Sequence, residues 1–291
     1  MKPRLLIIGA TGFVGSNWAR AAAEGFDVWR GARRAVVGPQ AVAIDITDAD
    51  SVRAAFDLAR PQFVTLLAAL SNIDRAERER ELASAVNLQG AIHVAEACAA
   101  SGARLLYTST DAVFDGERGL YHETDPHTPC NWYGQTKALA ELAIAERLPS
   151  ATIVRLSLVL GRSAMPGGNS YLAKVSGNLR AGNAIISPTY EFRNPLDVGT
   201  LCRFLLELTQ SEHAEGIVHA GASDKMSRYD LARAIAAGLN ADARLIVAQR
   251  APVPGRAPRG RDTFLATERL RQLCKTPLPT CAEVVKRALA S

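Results

Sequence analysis

A tyrosine and a lysine four residues apart can act as one acid–base unit, and the segment NWYGQTK supplies such a pair in Tyr133 and Lys137. Spacing of four places both side chains on one face of a helix. A tyrosine with its ordinary pKa of about 10 is a poor proton carrier at neutral pH. A nearby cation favours its phenolate, and Lys137 can supply that charge while holding a ribose hydroxyl. Upstream, LLYTSTDAVFDG offers Thr110, whose hydroxyl can hydrogen-bond the reacting oxygen. Such pairs are common by chance. Lys137, however, is the only lysine between Lys2 and Lys174 in a chain that otherwise favours arginine. Thr110, Tyr133 and Lys137 are therefore the expected catalytic set.

A second constellation lies at the N-terminus, in RLLIIGATGFVGSNWA. An apolar run is followed by Gly9, Gly12 and Gly15, with Thr11, Phe13 and Val14 between them, and then by a helical pattern. A tight turn, close backbone approach and free N–H groups at a helix start are what a pyrophosphate needs. The competing reading is a structural turn. The next strand ends FDVWRGARR. A site that prefers NAD usually carries an acidic residue there for the ribose 2′-hydroxyl. Arg33 and Arg34 suit a 2′-phosphate instead, unless they are simply solvated loop residues.

Both constellations need a scaffold, and the chain provides one. Short apolar runs at Arg4–Ile8, Phe26–Trp29, Ala41–Ile44, Phe63–Leu67, Arg104–Tyr107 and Thr152–Leu156 read as strands buried on both faces. Helical periodicity fills Phe13–Glu24, Ser51–Leu58, Glu77–Ala100 and Trp132–Ala145, and Asp48 with its neighbours can cap the second of these. The alternation predicts an α/β fold, a doubly wound parallel sheet of Rossmann type with a smaller C-terminal substrate lobe. Residues 1–161 plus 188–220 are assigned to the dinucleotide-binding domain, and 162–187 plus 221–291 to the lobe. Helices are expected over Asp197–Leu208, Ser227–Gly238 and the last twenty residues, with a strand at Gly216–Gly221.

Composition narrows the classes. The chain has 291 residues, of which 48% are hydrophobic and 22% charged, ordinary values for a globular protein. No apolar run approaches the roughly 18 residues that cross a bilayer, and MKPRLLII stops at Gly9 before a signal-peptide core can form. The net charge of +5 is scattered arginine without interleaved aromatics, so nucleic acid is not an expected partner and a small anionic ligand is. Five isolated cysteines without CxxC spacing, and five histidines without a helical ligand pair, indicate neither a disulfide framework nor a metal site. A soluble cytoplasmic protein is expected.

The GxxGxxG spacing resembles the extended short-chain dehydrogenase/reductases. Further blocks resemble the dTDP-4-dehydrorhamnose reductase family: AALSNIDRAE (68–77), AVNLQG (85–90), STDAVFDG (109–116), YHETDPHTPCNWYGQTKALAE (121–141), IVRLSLVLG (153–161) and, more weakly, RNPLDVGTL (193–201) and APRGRDTFL (257–265). The resemblance implies that Asp45 and Ile46 lie beside an adenine and that Ala68 and Ala69 line the nicotinamide side of a cleft. It makes Asn87 a scaffold residue and keeps Thr110, Tyr133 and Lys137 as the catalytic set. Ala112 stands where many of these reductases carry tyrosine, and Gly260 where proline is usual.

The resulting expectation is reduction of a 4-keto nucleotide sugar with NADP(H), NAD(H) being possible, in a homodimer built on the Glu77–Ala100 and Tyr133 helices. Asp111 and the arginines Arg155, Arg193, Arg259 and Arg261 are candidates for substrate contact. Two other readings stay open. One is a nucleotide-sugar epimerase, which needs the same Tyr/Lys/Thr set and a retained NAD. The other is a regulatory subunit that binds a dinucleotide without turnover. Dehydration is not expected, because related dehydratases carry glutamate where this chain has Ala112, which can neither give nor take a proton.

Overall fold

The computed structural model describes residues 1–33, 38–165 and 170–290. Its centre is a seven-stranded parallel sheet. The strands in chain order are β1 (Arg4–Ile8), β2 (Asp27–Ala32), β3 (Ala41–Ala43), β4 (Phe63–Leu66), β5 (Arg104–Thr110), β6 (Thr152–Leu156) and the strand Gly216–Ala220. Their spatial order is β3-β2-β1-β4-β5-β6 followed by Gly216–Ala220. Winding therefore runs outward in both directions from β1 and β4, which opens a crevice at their carboxyl ends. Leu5, Leu6, Ile7 and Ile8 are all at most 1% exposed, because helices cover both faces and these four side chains meet apolar neighbours.

On one face pack α2 (Ala49–Ala59), α5 (Gly90–Ser101) and α6 (Trp132–Arg147), through residues such as Phe56, Val94 and Ile144. The other face carries α1 (Phe13–Ala22) and the helix Val198–Gln210, through Trp18, Leu201, Phe204 and Leu205. Asp48 caps α2, accepting from the Asp50 amide, as its position before the apolar periodicity predicts.

One expected element is broken. The periodicity of 77–100 reads as a single helix, but the chain forms α3 (Ile73–Arg78), α4 (Arg80–Ser84), a π-helical turn (Ala85–Gln89) and α5. Glu79 interrupts the first two with φ −113° and ψ 57°. Nearby, the Glu77 carboxylate accepts from the Trp132 amide at 2.9 Å. The π turn, a frequent companion of functional sites, carries Asn87 inward. Its side chain accepts from the Leu70 amide (2.8 Å) and donates to the Thr136 hydroxyl (3.1 Å). It thereby joins the loop after β4 to the helix that bears Tyr133 and Lys137.

A third apolar cluster forms the small lobe, where Leu172, Val175, Leu231, Ile235 and Val284 meet. The strand Ile185–Pro188 belongs to this lobe, pairing with Ile246–Gln249; neither strand is evident in the sequence. The expected lobe boundary also needs correction. Leu270 and Cys274 lie in the core beneath the sheet with Trp18 and Phe204, so the chain after residue 221 does not stay in the lobe. Periodicity identifies an apolar helix face but not which of two cores it joins. Among the described residues of the last twenty, helix is confined to the end of Glu268–Leu273 and to Cys281–Ala290.

Candidate active site

A cleft of about 670 Å³ opens at the carboxyl ends of the central strands. The glycine loop forms its floor, with Gly9, Thr11, Gly12, Phe13, Val14 and Gly15 all lining it. Gly9 has φ +97°, and a Cβ there would lie 2.8 Å from the Ala68 nitrogen. At Gly15 a Cβ would sit 2.1 Å from the Gly9 carbonyl oxygen. Only a chain without side chains at these points can turn this tightly and start a helix against the strand. Gly12 is the N-cap of α1, supplying no side-chain cap, and no acidic residue occupies the first turn. The first amides of α1 thus remain available to an anion.

Along one wall lie Arg33, Asp45 and Ile46. Arg33 is exposed, while Arg34 lies outside the described residues. Asp45 accepts from the backbone and hydroxyl of Thr47 at 3.0 and 2.7 Å. These bonds, with the Arg33 charge, hold its carboxyl below the usual range despite the opposing effect of burial. The opposite wall holds Ala68 and Ala69 from the loop after β4, and Thr110, Tyr133 and Lys137 line the same cleft. Two constellations more than 90 residues apart in sequence thus share one cavity.

The helix that bears Tyr133 and Lys137 is placed by contacts at its first turn. Asn131 caps it, accepting from the Gly134 amide at 2.9 Å and donating to the Pro258 carbonyl at 3.0 Å. Gly134 is a residue that the Tyr-x-x-x-Lys pattern does not single out. A Cβ on it would lie 2.0 Å from the Ala112 carbonyl oxygen, so its hydrogen lets the helix start press against the turn after Thr110. The Thr110 hydroxyl accepts from the Ala112 amide at 3.1 Å.

Burial pushes the Tyr133 phenol up to about 12, against the pull of the neighbouring Thr110 hydroxyl and aided by the Asp111 charge. Tyr133 therefore carries its proton at neutral pH. Lys137 is 2% exposed. Its Nζ donates to the Thr108 carbonyl at 2.7 Å and lies 4.0 Å from the centre of the Tyr107 ring. Burial brings its pKa from 10.5 down to about 7, with the Glu141 carboxylate opposing that fall.

The expected substrate residues divide. Asp111 and Arg193 meet beside the cleft: Arg193 Nε is 3.2 Å from Asp111 Oδ2, which also accepts from the Thr263 hydroxyl at 2.7 Å. Arg259 forms a two-pronged ion pair with Asp74 at 2.8 and 2.6 Å, which joins the C-terminal loop to α3. Arg261 is exposed, and its carbonyl accepts from the Phe192 amide. Arg155 stands elsewhere. Expected among the diphosphate contacts, it is 1% exposed and does not line the cleft. Its guanidinium is engaged by Glu141, at 2.7 Å from Nη2 to Oε2. A strand sequence cannot reveal this, because the partner comes from a helix packed on the sheet.

Among the described residues no cluster of three or more His, Cys, Asp or Glu side chains is arranged to hold a metal ion. Nor, among them, is any helix long and apolar enough to cross a membrane.

Known proteins resemble this chain along nearly its whole length. The dTDP-4-dehydrorhamnose reductase of Mycolicibacterium smegmatis is 36% identical over 298 residues, covering 100% of this chain and 86% of that protein. The methionine adenosyltransferase 2 subunit beta of Bos taurus is 31% identical over 287 residues, covering 93% of this chain and 82% of that protein. A crystal structure of dTDP-4-dehydrorhamnose reductase from Bacillus anthracis in complex with NADP superimposes with a TM-score of 0.91 at 26% identity, covering 100% and 99% of the two chains. The RmlD substrate binding domain family matches residues 2–291. With that match running through cleft and lobe alike, the chain belongs to the RmlD substrate binding domain family, within the extended short-chain dehydrogenase/reductases.

Proposed function

We propose that this chain reduces a 4-keto-6-deoxy nucleotide sugar of the dTDP-4-dehydrorhamnose type, using NADPH. The observation that carries the reading is the convergence of the glycine loop with Thr110, Tyr133 and Lys137 on one cleft. The cradle fits a dinucleotide, since the space at Gly9 and Gly15 that a Cβ would take is backbone contact, and the α1 amides face the cleft uncapped. Arg33 would hold a 2′-phosphate, Asp45 and Ile46 would flank the adenine, and Lys137 would hold a ribose hydroxyl. When bound, the cofactor supplies the hydride that reduces the keto carbon.

The residues of the chain do the rest. Tyr133, protonated at neutral pH, donates its proton to the oxygen that becomes the alcohol. Thr110 hydrogen-bonds that oxygen and stabilises the charge it gathers. Lys137 places positive charge beside the tyrosine and so offsets the phenolate left behind. Ala112 leaves the position after Asp111 without a proton-transfer group, which favours reduction over dehydration. An epimerase would retain NAD, whereas Arg33 is suited to the exchangeable phosphorylated cofactor.

The similarity to a methionine adenosyltransferase subunit keeps the regulatory reading in view, and the complete Thr110/Tyr133/Lys137 set in the cleft favours turnover. The deciding experiment measures NADPH oxidation with a panel of dTDP- and UDP-linked 4-keto-6-deoxy sugars. Stoichiometric oxidation with one of them is expected. Binding of NADPH without oxidation by any would replace this reading with the regulatory one. A homodimer on the exposed face of α6, where Leu139 and Leu142 are exposed, belongs to the same proposal and is checked by light scattering. Action in the cytoplasm is supported by the five cysteines, all free thiols.

A further inference from the structure

Behind the catalytic helix lies a buried charged cluster that takes no part in the steps above. Tyr133, Lys137 and Glu141 follow one another at intervals of four along one face of α6. Glu141 is 1% exposed and bonded on every side. From β5, the Ser109 hydroxyl donates to Oε1. From β6, Arg155 donates through Nε (3.1 and 3.0 Å) and Nη2 (2.7 Å). From the loop before α6, His127 Nε2 lies 2.8 Å from Oε2. Behind Arg155, the Nη1 atom is 3.2 Å from Nε2 of His219, whose Nδ1 meets the Ala266 carbonyl. Burial and the Arg155 charge bring His219 down to about 3, so it is a neutral acceptor.

Lys137 occupies a seat with few groups in it. The Thr108 carbonyl accepts from it and the Tyr107 ring lies under it. Tyr133 is on its own helix, with Asp111 beyond. The Tyr107 hydroxyl is buried and has no hydrogen-bond partner among the described residues. A carbonyl dipole and a ring face each favour a cation, but neither carries a full negative charge. One turn further along the same face of α6 stands the buried carboxylate of Glu141, which Ser109, Arg155 and His127 hold fixed and ionised.

We propose that Glu141, together with the Tyr107 ring, is a positioning element that keeps Lys137 charged and seated in the cleft. Arg155 then has a definite task, which is to anchor the carboxylate that serves Lys137. The inference rests on the reductase reading only for its effect on turnover. Its core, the charge state of Lys137, can be measured without substrate or cofactor.

The chain has six lysines, so the side-chain amine of Lys137 can be followed in protein labelled with ¹⁵N-lysine and identified through Lys137→Arg. Titration of the ligand-free protein compares wild type, Glu141→Gln and Glu141→Asp. Losing the opposite charge one helical turn away should raise the acid constant of Lys137 by about tenfold in Glu141→Gln. Glu141→Asp keeps the charge and should stay near wild type. A role confined to packing predicts the reverse order, since Gln has the shape of Glu and Asp leaves a gap. In turnover assays the alkaline fall of kcat should move to lower pH in Glu141→Gln and remain in place in Glu141→Asp. A Lys137 midpoint unchanged or raised in Glu141→Gln overturns the proposal. If that variant does not fold, Tyr107→Leu carries the test through the ring face: a lower Lys137 midpoint supports the seat and an unchanged one overturns it. Inactivity of the wild-type protein on every sugar would sink the reductase reading and leave the titration to decide this one.

Discussion

Arg193 and Asp111 are joined beside the cleft, with Nε 3.2 Å from Oδ2 and both side chains 11% exposed. Arg193 also donates to the Gly260 carbonyl at 3.0 Å. One side chain therefore ties the turn after Thr110 to the C-terminal loop. Removing one partner of a buried pair leaves the other charge uncompensated, at about 3–5 kcal/mol. Arg193→Met is expected to lose stability of that order in urea unfolding, and Asp111→Asn/Arg193→Met to recover a large part of it. Equal losses in the single and double variants would show that the pair itself carries little.

Tyr133→Phe removes the proton donor and leaves the ring. Turnover is expected to fall by roughly 10²–10⁴-fold, while NADPH affinity, read by fluorescence titration, stays within about twofold of wild type. Retained turnover would dismiss the assignment of Tyr133 as acid.

Arg33→Ala tests the choice of cofactor. A charge-assisted hydrogen bond contributes about 1.5–3 kcal/mol, so NADPH binding should weaken by about ten- to a hundredfold, with NADH binding little changed. The same weakening for both would mean that Arg33 does not read the 2′-phosphate.

Gly15→Ala introduces a Cβ 2.1 Å from the Gly9 carbonyl oxygen, a contact that only a shift of α1 can relieve. A stability loss of about 1–3 kcal/mol is expected from overpacking, with loss of dinucleotide binding. Unaltered unfolding and binding curves would contradict the fitted loop.

Lys137 gives a pH signature. Its folded pKa of about 7 lies below the ordinary 10.5, burial being the cause. Between these values the unfolded chain binds more protons than the folded one, so this group adds stability as pH rises through that window. Lys137→Met removes the term. The variant should gain most over wild type below pH 7, where the buried ammonium costs in full, and the difference should shrink towards about pH 10. Thermal unfolding of both proteins across this range measures it, and a gap independent of pH would contradict a depressed Lys137.

Much of this protein is local in the physical sense, and so is determined by the sequence alone. Apolar runs of strand length alternating with helical periodicity specify the parallel sheet, since only strands buried on both faces tolerate them. The spacing of Gly9, Gly12 and Gly15 marks the cradle because a turn this tight leaves no room for a Cβ at Gly9 or Gly15, and Tyr133 and Lys137 share a face because a helix repeats every 3.6 residues. What tertiary structure decided concerns partners brought from distant elements. The helix expected over 77–100 breaks around Glu79 and a π turn so that Asn87 can bridge Leu70 and Thr136. Gly134 matters because of the Ala112 carbonyl pressed against it, and Leu270 joins the sheet's core although it follows the lobe in sequence. Arg155 reads as a candidate for substrate contact, yet folding buries it against Glu141. A charge buried without a partner is costly, and which carboxylate answers it depends on how helix and sheet pack, a relation that sequence spacing does not contain.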